Sequence, residues 1–176
     1  LSGSGSGLAA LLKHQQNEGC AHKTVVVISD KPNAGGLAHA ERYGVPSVPI
    51  PLSEKISGLE RRMEQEARIL HELAGSGTEL VVLSGYMRIL TSDFVSRWKG
   101  RLINIHPSLL PLFPGAHAHR DVLAAGEDVS GCTVHLVDEG VDTGPILAQR
   151  TVPVHKGDTV DSLSARVRKV EHVLYP

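Results

Sequence analysis

The chain has 176 residues, a length that suits one domain with a sizeable core, and 41% of its residues are hydrophobic. Its formal net charge is −1, so charge alone gives no reason to expect binding to nucleic acid or to an acidic membrane. No apolar run reaches the roughly 20 residues that a membrane-spanning helix needs. Cys20 and Cys132 lie far apart, which predicts free thiols in a reducing compartment, and we expect a cytoplasmic protein.

The predicted elements alternate between strands and helices along the chain. Strands are predicted at residues 24–29, 45–50, 79–84, 102–106, 131–137 and 146–154, where apolar and branched side chains concentrate. Helices are predicted from Leu8 until the pattern fades at Gln15, at 36–43, 59–74, 93–98 and 120–125, and after a cap at Asp158. This alternation predicts an α/β fold with an open, mainly parallel twisted sheet and helices on both faces, formed as a single domain.

The glycine-serine segment at residues 1–7 (LSGSGSG) has two interpretations. A loop of this kind leading into a helix presents free backbone N–H groups at the positive end of the helix dipole, which suits a phosphate. Gly/Ser repeats are equally typical of flexible linkers. The segment lacks the lysine of a P-loop, so it does not predict a nucleoside triphosphatase.

The strand at 102–106 carries the most informative polar residues. Asn104 and His106 are two positions apart at its carboxyl end, so alternation places them on the same side of the sheet. Pro107 ends the strand because it has no N–H to donate to the ladder. Ligands of open parallel sheets bind beyond the carboxyl ends of the strands, and we therefore predict a reaction centre here.

The acidic turn that contains Asp142 completes a possible catalytic set with Asn104 and His106. The amide can stabilise a developing oxyanion, the imidazole can move a proton, and the carboxylate can favour and orient the protonated ring. Together they predict acyl transfer to an amine by direct attack, because no serine, cysteine or lysine stands as an obvious nucleophile. Each residue also has a purely structural interpretation: Asn104 could cap the end of the strand, His106 could be a structural histidine, and Asp142 could be a turn former.

Several histidines near this strand raise the question of a metal. His117 and His119 form a possible ligand pair, but no cysteine or carboxylate cluster stands beside them, so we expect no metal in this protein. Thr133 and His135 share one face of their strand, where a hydrogen-bonded supporting role is the simplest interpretation.

Two further segments have weaker signals. The sequence GYMRIL at residues 85–90 follows a predicted strand and could line the same cleft, although ordinary packing would equally explain Met87, Ile89 and Leu90. Arg62 lies on the charged side of the helix predicted at 59–74, and this pattern alone indicates a solvated surface.

The run NIHPSLLP at residues 104–111, Gly115 and the run DEGVDTGPI at 138–146 resemble the folate-dependent formyltransferases. The similarity extends over essentially the whole chain, through GYMRIL to the ending RVRKVEHVLYP. The glycine-serine loop and the EHVLYP ending are similar to the branch of the family that acts on glycinamide ribonucleotide in purine biosynthesis. The resemblance implies a Rossmann-like formyltransferase domain.

The resemblance also implies a reaction between two small-molecule substrates. The amine of glycinamide ribonucleotide would attack the formyl carbon of the co-substrate 10-formyltetrahydrofolate, with Asn104 holding the formyl oxygen. His106 would donate a proton, and Asp142 would support it and order water. The implied phosphate-binding residues are Gly5, Ser6 and Gly7, other substrate contacts are Arg168 and Glu171, and the implied folate-binding residues are Arg62, Met87, Arg88, Ile89, Leu90, Asp138, Glu139, Gly140 and Val141.

Two positions depart from the family pattern: Gly7 stands where Asn is usual, and Tyr86 where Phe is common. The resemblance further implies a strand before Leu1 and more residues after Pro176, in a monomer or homodimer without nucleic-acid or membrane partners. Two other functions stay open, a 10-formyltetrahydrofolate hydrolase and a non-catalytic nucleotide-binding module. A hydrolase would not need a phosphate-binding loop. The presence of Asn104, His106 and Asp142 argues against a non-catalytic module.

Overall fold

A computed structural model describes residues 1–176. The helices are α1 (Ser6–His14), α2 (Gly35–Arg42), α3 (Gly58–Gly75), α4 (Ser92–Arg97), α5 (Ala118–Ala125) and α6 (Val160–Leu174). The strands are β1 (Val27–Ser29), β2 (Ser47–Pro49), β3 (Val81–Leu83), β4 (Leu102–His106), β5 (Val129–Leu136) and β6 (Ile146–Pro153). This order confirms the predicted α/β class. None of the helices combines the length and the apolar composition needed to cross a membrane.

The strands form two sheets. In the first, β1 and β2 pair in parallel. In the second, which has the order β3-β4-β5-β6, β3 and β4 pair in parallel, whereas β4, β5 and β6 pair antiparallel. The predicted parallel pairing is present between β1 and β2 and between β3 and β4. The strands that come after β4 pair antiparallel.

An apolar cavity of about 820 Å³ lies between the two sheets, lined by residues 25–28 on one side and 80–83 on the other. Leu1 lies beside it and makes one parallel rung with β1: its amino group donates to the Ile28 carbonyl at 2.8 Å, and its carbonyl accepts from the Asp30 N–H at 3.2 Å. Both β1 and β3 are shorter than predicted because the residues that precede them line this cavity instead of pairing in a ladder.

Helices cover both faces of the second sheet. On β4, Leu102 packs into a cluster with side chains of α3 and α4, whereas Ile105 packs against a cluster with side chains of α5 and α6. Residues three apart on a strand point to opposite faces, so the two clusters lie on opposite sides of the sheet. Asn104 and His106 share the face of Leu102, which is the side of α3 and α4.

The start of α6 corrects one prediction. Thr159, not Asp158, is the N-cap, and it forms a capping box with Ser162. Asp158 lies one residue earlier, where it accepts from the His155 N–H at 2.7 Å and pairs with Arg166 at 2.7 Å. Both residues are acceptable caps by type, and the hydrogen bonds decide between them.

Candidate active site

The strand register brings the polar residues of β4 and β5 together. Asn104 pairs with His135, and His106 pairs with Thr133, so these four side chains occupy one face of the sheet. His106, Thr133 and His135 are buried, and Asn104 is half-buried. The predicted shared face of Asn104 and His106, and that of Thr133 and His135, are both confirmed.

Asp142 folds back onto this face and contacts both imidazoles. One carboxylate oxygen lies 3.2 Å from His106 Nδ1, and the other lies 3.5 Å from His135 Nε2. Asn104 Nδ2 lies 3.4 Å from the same His135 nitrogen. The structure therefore brings the three predicted catalytic residues together, with His135 joining the amide to the carboxylate.

The backbone holds Asp142 in an unusual conformation. Its φ of 55° lies in the left-handed region, which Asp and Asn tolerate better than most residues. The Gly115 N–H donates to Asp142 Oδ2 at 2.8 Å, the same oxygen that faces His106. The carboxylate is thus fixed from the loop after β4 as well as from its own turn.

The electrostatic state of the pair formed by Asp142 and His135 follows from these contacts. The hydrogen bond from His135 is the largest cause that lowers the pKa of Asp142; burial opposes it, and the Gly115 N–H and the charges of both histidines assist it. For His135, burial is the largest single effect and lowers the pKa, but the hydrogen bonds to Asp142 and the Leu136 carbonyl and nearby acidic charges together raise it above its ordinary value. The pair favours an ionised carboxylate beside a protonated ring.

His106 is held between two acceptors. Its Nε2 lies 2.9 Å from the Phe113 carbonyl, while its Nδ1 faces Asp142, and only 6% of its side chain is exposed. Only the doubly protonated ring can donate to both oxygens. Phe113 has a φ of 55°, a strained conformation for an aromatic residue, in which its carbonyl accepts from His106.

A second network, which the sequence analysis missed in part, holds the loop after β4. Thr133 Oγ1 accepts from the Leu110 N–H at 3.0 Å and donates to the Ser108 carbonyl at 2.7 Å. The Gln149 amide donates to Thr133 Oγ1 at 2.8 Å and to the Leu110 carbonyl at 2.9 Å. Gln149 was not predicted, and the only signal for it is its position opposite Thr133 in the pairing of β5 with β6.

The N-terminus of α1 retains the features expected of a phosphate site. Gly5 is the N-cap with a φ of 73°, and no side chain caps the helix, so first-turn amides such as those of Ser6 and Gly7 have no intrahelical acceptor. A Cβ on Gly5 would lie 2.4 Å from Gly36 Cα. Both the backbone angle and the close approach of α2 therefore require glycine at position 5, which favours a built loop over a linker.

Charged and titratable groups of α5 and α6 lie near one another and near His106. His119, whose sequence pattern indicated only a possible metal ligand, has a buried Nδ1 without a hydrogen-bond partner. Burial lowers its pKa most, and the positive charges of Arg168 and His106 lower it further. Glu171 is half-buried, and burial raises the pKa of its carboxyl. His119 thus lies within electrostatic reach of both Arg168 and His106.

The loop after β3 presents apolar side chains to solvent. Met87 is 72% exposed and Ile89 is 67% exposed, which excludes core packing for both, whereas Leu90 packs against the core. Such exposed apolar side chains are typical of a ligand or partner surface. Arg88 Nε donates to Asp30 at 2.7 Å and ties the loop to the end of β1.

The remaining residues of the predicted folate site lie in α3 and in the acidic turn. Arg62 is half-buried in α3. In the turn, Asp138 Oδ1 accepts from the Gly140 N–H at 3.0 Å, Glu139 is exposed, and Val141 is 54% exposed. Their contact with a folate stays a prediction.

Comparison with known proteins adds a family. A family model described as formyl transferase matches residues 1–176. The chain is 39% identical to the phosphoribosylglycinamide formyltransferase of Escherichia coli, covering all of this chain and 81% of that protein. It is 44% identical to the trifunctional purine biosynthetic protein adenosine-3 of Drosophila melanogaster, but spans only 13% of that protein's length. The crystal structure of phosphoribosylglycinamide formyltransferase from Brucella melitensis is 47% identical, with a TM-score of 0.92 over all of this chain and 88% of that one.

Proposed function

The chain belongs to the formyl transferase family, and from this premise we propose that it transfers the formyl group of 10-formyltetrahydrofolate to the amine of glycinamide ribonucleotide, in purine biosynthesis. The names of its bacterial relatives support the choice of acceptor. The observation that carries the proposal is the contact of one carboxylate, Asp142, with both His106 and His135, beside the Asn104 amide.

The proposed reaction needs no covalent enzyme intermediate. The lone pair of the substrate amine forms a bond to the formyl carbon, and the carbonyl oxygen becomes an oxyanion to which the Asn104 amide donates. Protonated His106 adds a second donor and a positive charge. The bond from the carbon to N10 of the folate then breaks, as a proton leaves the attacking nitrogen and N10 gains one through His106 and water held at Asp142.

We propose that the amino end of α1 binds the phosphate of the nucleotide. Backbone N–H groups of Gly5, Ser6 and Gly7 and the helix dipole suit a dianion, as described for helix N-termini in general. Arg168 would add a positive charge. Half-buried Glu171 would accept hydrogen bonds from the uncharged part of the same substrate.

The folate is proposed to lie against the loops after β3 and β5. Exposed Met87, Ile89 and Val141 offer apolar contact area for its ring system. Arg62 would pair with a carboxylate of the folate tail.

The two free thiols of the chain fit the reducing cytoplasm, where we propose that the reaction takes place.

One assay separates the proposed transferase from the two alternatives. Purified protein is supplied with 10-formyltetrahydrofolate, and release of tetrahydrofolate is followed with and without glycinamide ribonucleotide. We expect release that depends on the acceptor, with formylated nucleotide formed in equal amount. Equal release without the acceptor would identify a hydrolase, and binding without release would identify a silent nucleotide-binding module; either result would overturn the proposal.

A further inference from the structure

Three metal-ligating side chains lie together at the other end of α1. His14 is the last residue of that helix, and Cys20 and His22 lie in the segment that leads toward β1. One donor atom from each residue falls within 4.8 Å of the others, and the two imidazole rings stack with centroids 5.8 Å apart. We propose that His14, Cys20 and His22 form a Zn²⁺ site that is separate from the formyl-transfer centre.

The spacing of the donors is close to what zinc requires. With Zn–N bonds of about 2.0 Å and a Zn–S bond of about 2.3 Å, tetrahedral geometry places donor atoms roughly 3.3–3.6 Å apart. Donor atoms at the present limit of 4.8 Å must therefore approach one another by about 1.2–1.5 Å. His14 and His22 are exposed, so small side-chain rotations can supply this movement without disturbing the core.

The hydrogen bonds of His22 already select a ligand nitrogen. Its Nε2 lies 3.2 Å from the Pro176 carbonyl, an acceptor, so this nitrogen carries the proton. Its Nδ1 lies 3.0 Å from Gln15 Nε2, a donor, so Nδ1 presents the lone pair. Metal-bound histidines usually donate their second N–H to a carbonyl or carboxylate in this way, and zinc would replace the Gln15 contact at Nδ1.

The backbone between the ligands is held by local hydrogen bonds. The Asn17 N–H donates to the His14 carbonyl at 3.0 Å, and the Cys20 N–H donates to the Asn17 carbonyl at 3.3 Å. Gln15 Oε1 accepts from both the N–H and the hydroxyl of Thr24, each at 3.0 Å. These contacts keep Cys20 and His22 near the end of the helix before any metal binds, which reduces the entropy lost on binding.

The donor set identifies the class of metal. One thiolate and two imidazoles suit Zn²⁺, and Co²⁺ can replace it with the same ligands. Binding would release the Cys20 thiol proton and leave a fourth position for water. The site lies nine residues, or about 13 Å, along α1 from the proposed phosphate loop, so its loss should leave formyl transfer unchanged.

Cobalt binding tests the site directly. Tag-free protein, stripped with a chelator, is titrated with Co²⁺ while the near-ultraviolet absorption of a thiolate-to-cobalt charge-transfer band is recorded, and Zn²⁺ is then added in competition. We expect one equivalent of Co²⁺ to produce the band and Zn²⁺ to abolish it. Cys20→Ser should remove the band, whereas Cys132→Ser should keep it, because Cys132 is buried in the core.

The histidine variants complete the test and do not depend on the folding of Cys132→Ser. His14→Gln and His22→Gln should each weaken Co²⁺ binding at least tenfold, while His71→Gln, outside the cluster, should bind as the unmodified protein does. Zn²⁺ should also raise the melting temperature of the unmodified protein and leave that of Cys20→Ser unchanged. The absence of a charge-transfer band, or a band that survives Cys20→Ser, would overturn the proposal.

Discussion

Asp142 contacts two imidazole rings through different oxygens, and replacement by asparagine should therefore change the titration of His135. Asn tolerates the left-handed backbone at this position, so the turn should persist. With the hydrogen bond and charge of Asp142 removed, burial would dominate and the pKa of His135 should fall. NMR titration of the His135 ring in Asp142→Asn checks this shift. Asp138→Asn, which removes only a more distant charge, should cause a smaller decrease.

The same pair predicts how stability depends on pH. The raised pKa of His135 contributes stability that is fully present below its ordinary value of 6.5 and is lost as pH rises through the folded pKa. The lowered pKa of Asp142 contributes stability present above its ordinary value of 3.8 and lost as pH falls through the folded pKa. Asp142→Asn should therefore lower the free energy of unfolding, measured by urea denaturation, by more at about pH 5.5 than at about pH 9. An equal loss at both would contradict the ion pair.

His106→Ala is the residue-scale test of the proposed chemistry. General acid-base groups contribute about 10²–10⁴-fold to rate, and we expect kcat to fall within that range. Folate affinity, followed by calorimetric titration, should change little because the proposed ground-state contacts of the folate are the apolar side chains of the two loops and Arg62, whereas His106 acts mainly on the charge that develops during transfer. His155→Ala, at an exposed position outside the site, is the matched control. Near-normal turnover of His106→Ala would remove His106 from the mechanism.

At the scale of elements, Gln149 connects β6 to the loop that follows β4. Gln149→Leu removes both amide donors and leaves the Leu110 carbonyl without them. An unsatisfied buried group costs about 1–3 kcal/mol, so the free energy of unfolding should fall by that amount. Because the same loop carries the Phe113 carbonyl that accepts from His106, kcat should fall more than the KM values rise. Gln16→Leu, at an exposed position shortly after α1, should change neither.

The local sequence pattern predicted much of this site, whereas the residues that it missed depend on contacts between distant segments of the chain. Alternation along β4 was enough to place Asn104 and His106 on one face, because the period of a strand is fixed by its backbone. Gln149 was missed because its role depends on the register between β5 and β6, which no local pattern contains. The contact from Phe113 was missed for a related reason, since a left-handed aromatic residue has no composition signal.

The same distinction applies to helix starts. Asp158 and Thr159 are adjacent and both are good N-cap residues, so residue type could not separate them. Arg166, eight residues later, pairs with Asp158 and leaves Thr159 to cap α6 with Ser162. For α1, the sequence predicted a start at Leu8, whereas the helix begins at Ser6, because glycine and serine carry no apolar periodicity. The phosphate site proposed there also requires the close approach of Gly36 to Gly5, which only the fold shows.

At the scale of the whole molecule, the proposed reaction centre and the zinc site lie on different parts of the fold. The reaction centre occupies the face of β4 and β5 that carries His106 and His135, and it depends on loops that converge from β4 and β5. The cluster formed by His14, Cys20 and His22 joins the end of α1 to the segment before β1. Zinc should therefore affect the stability of the first sheet more than turnover.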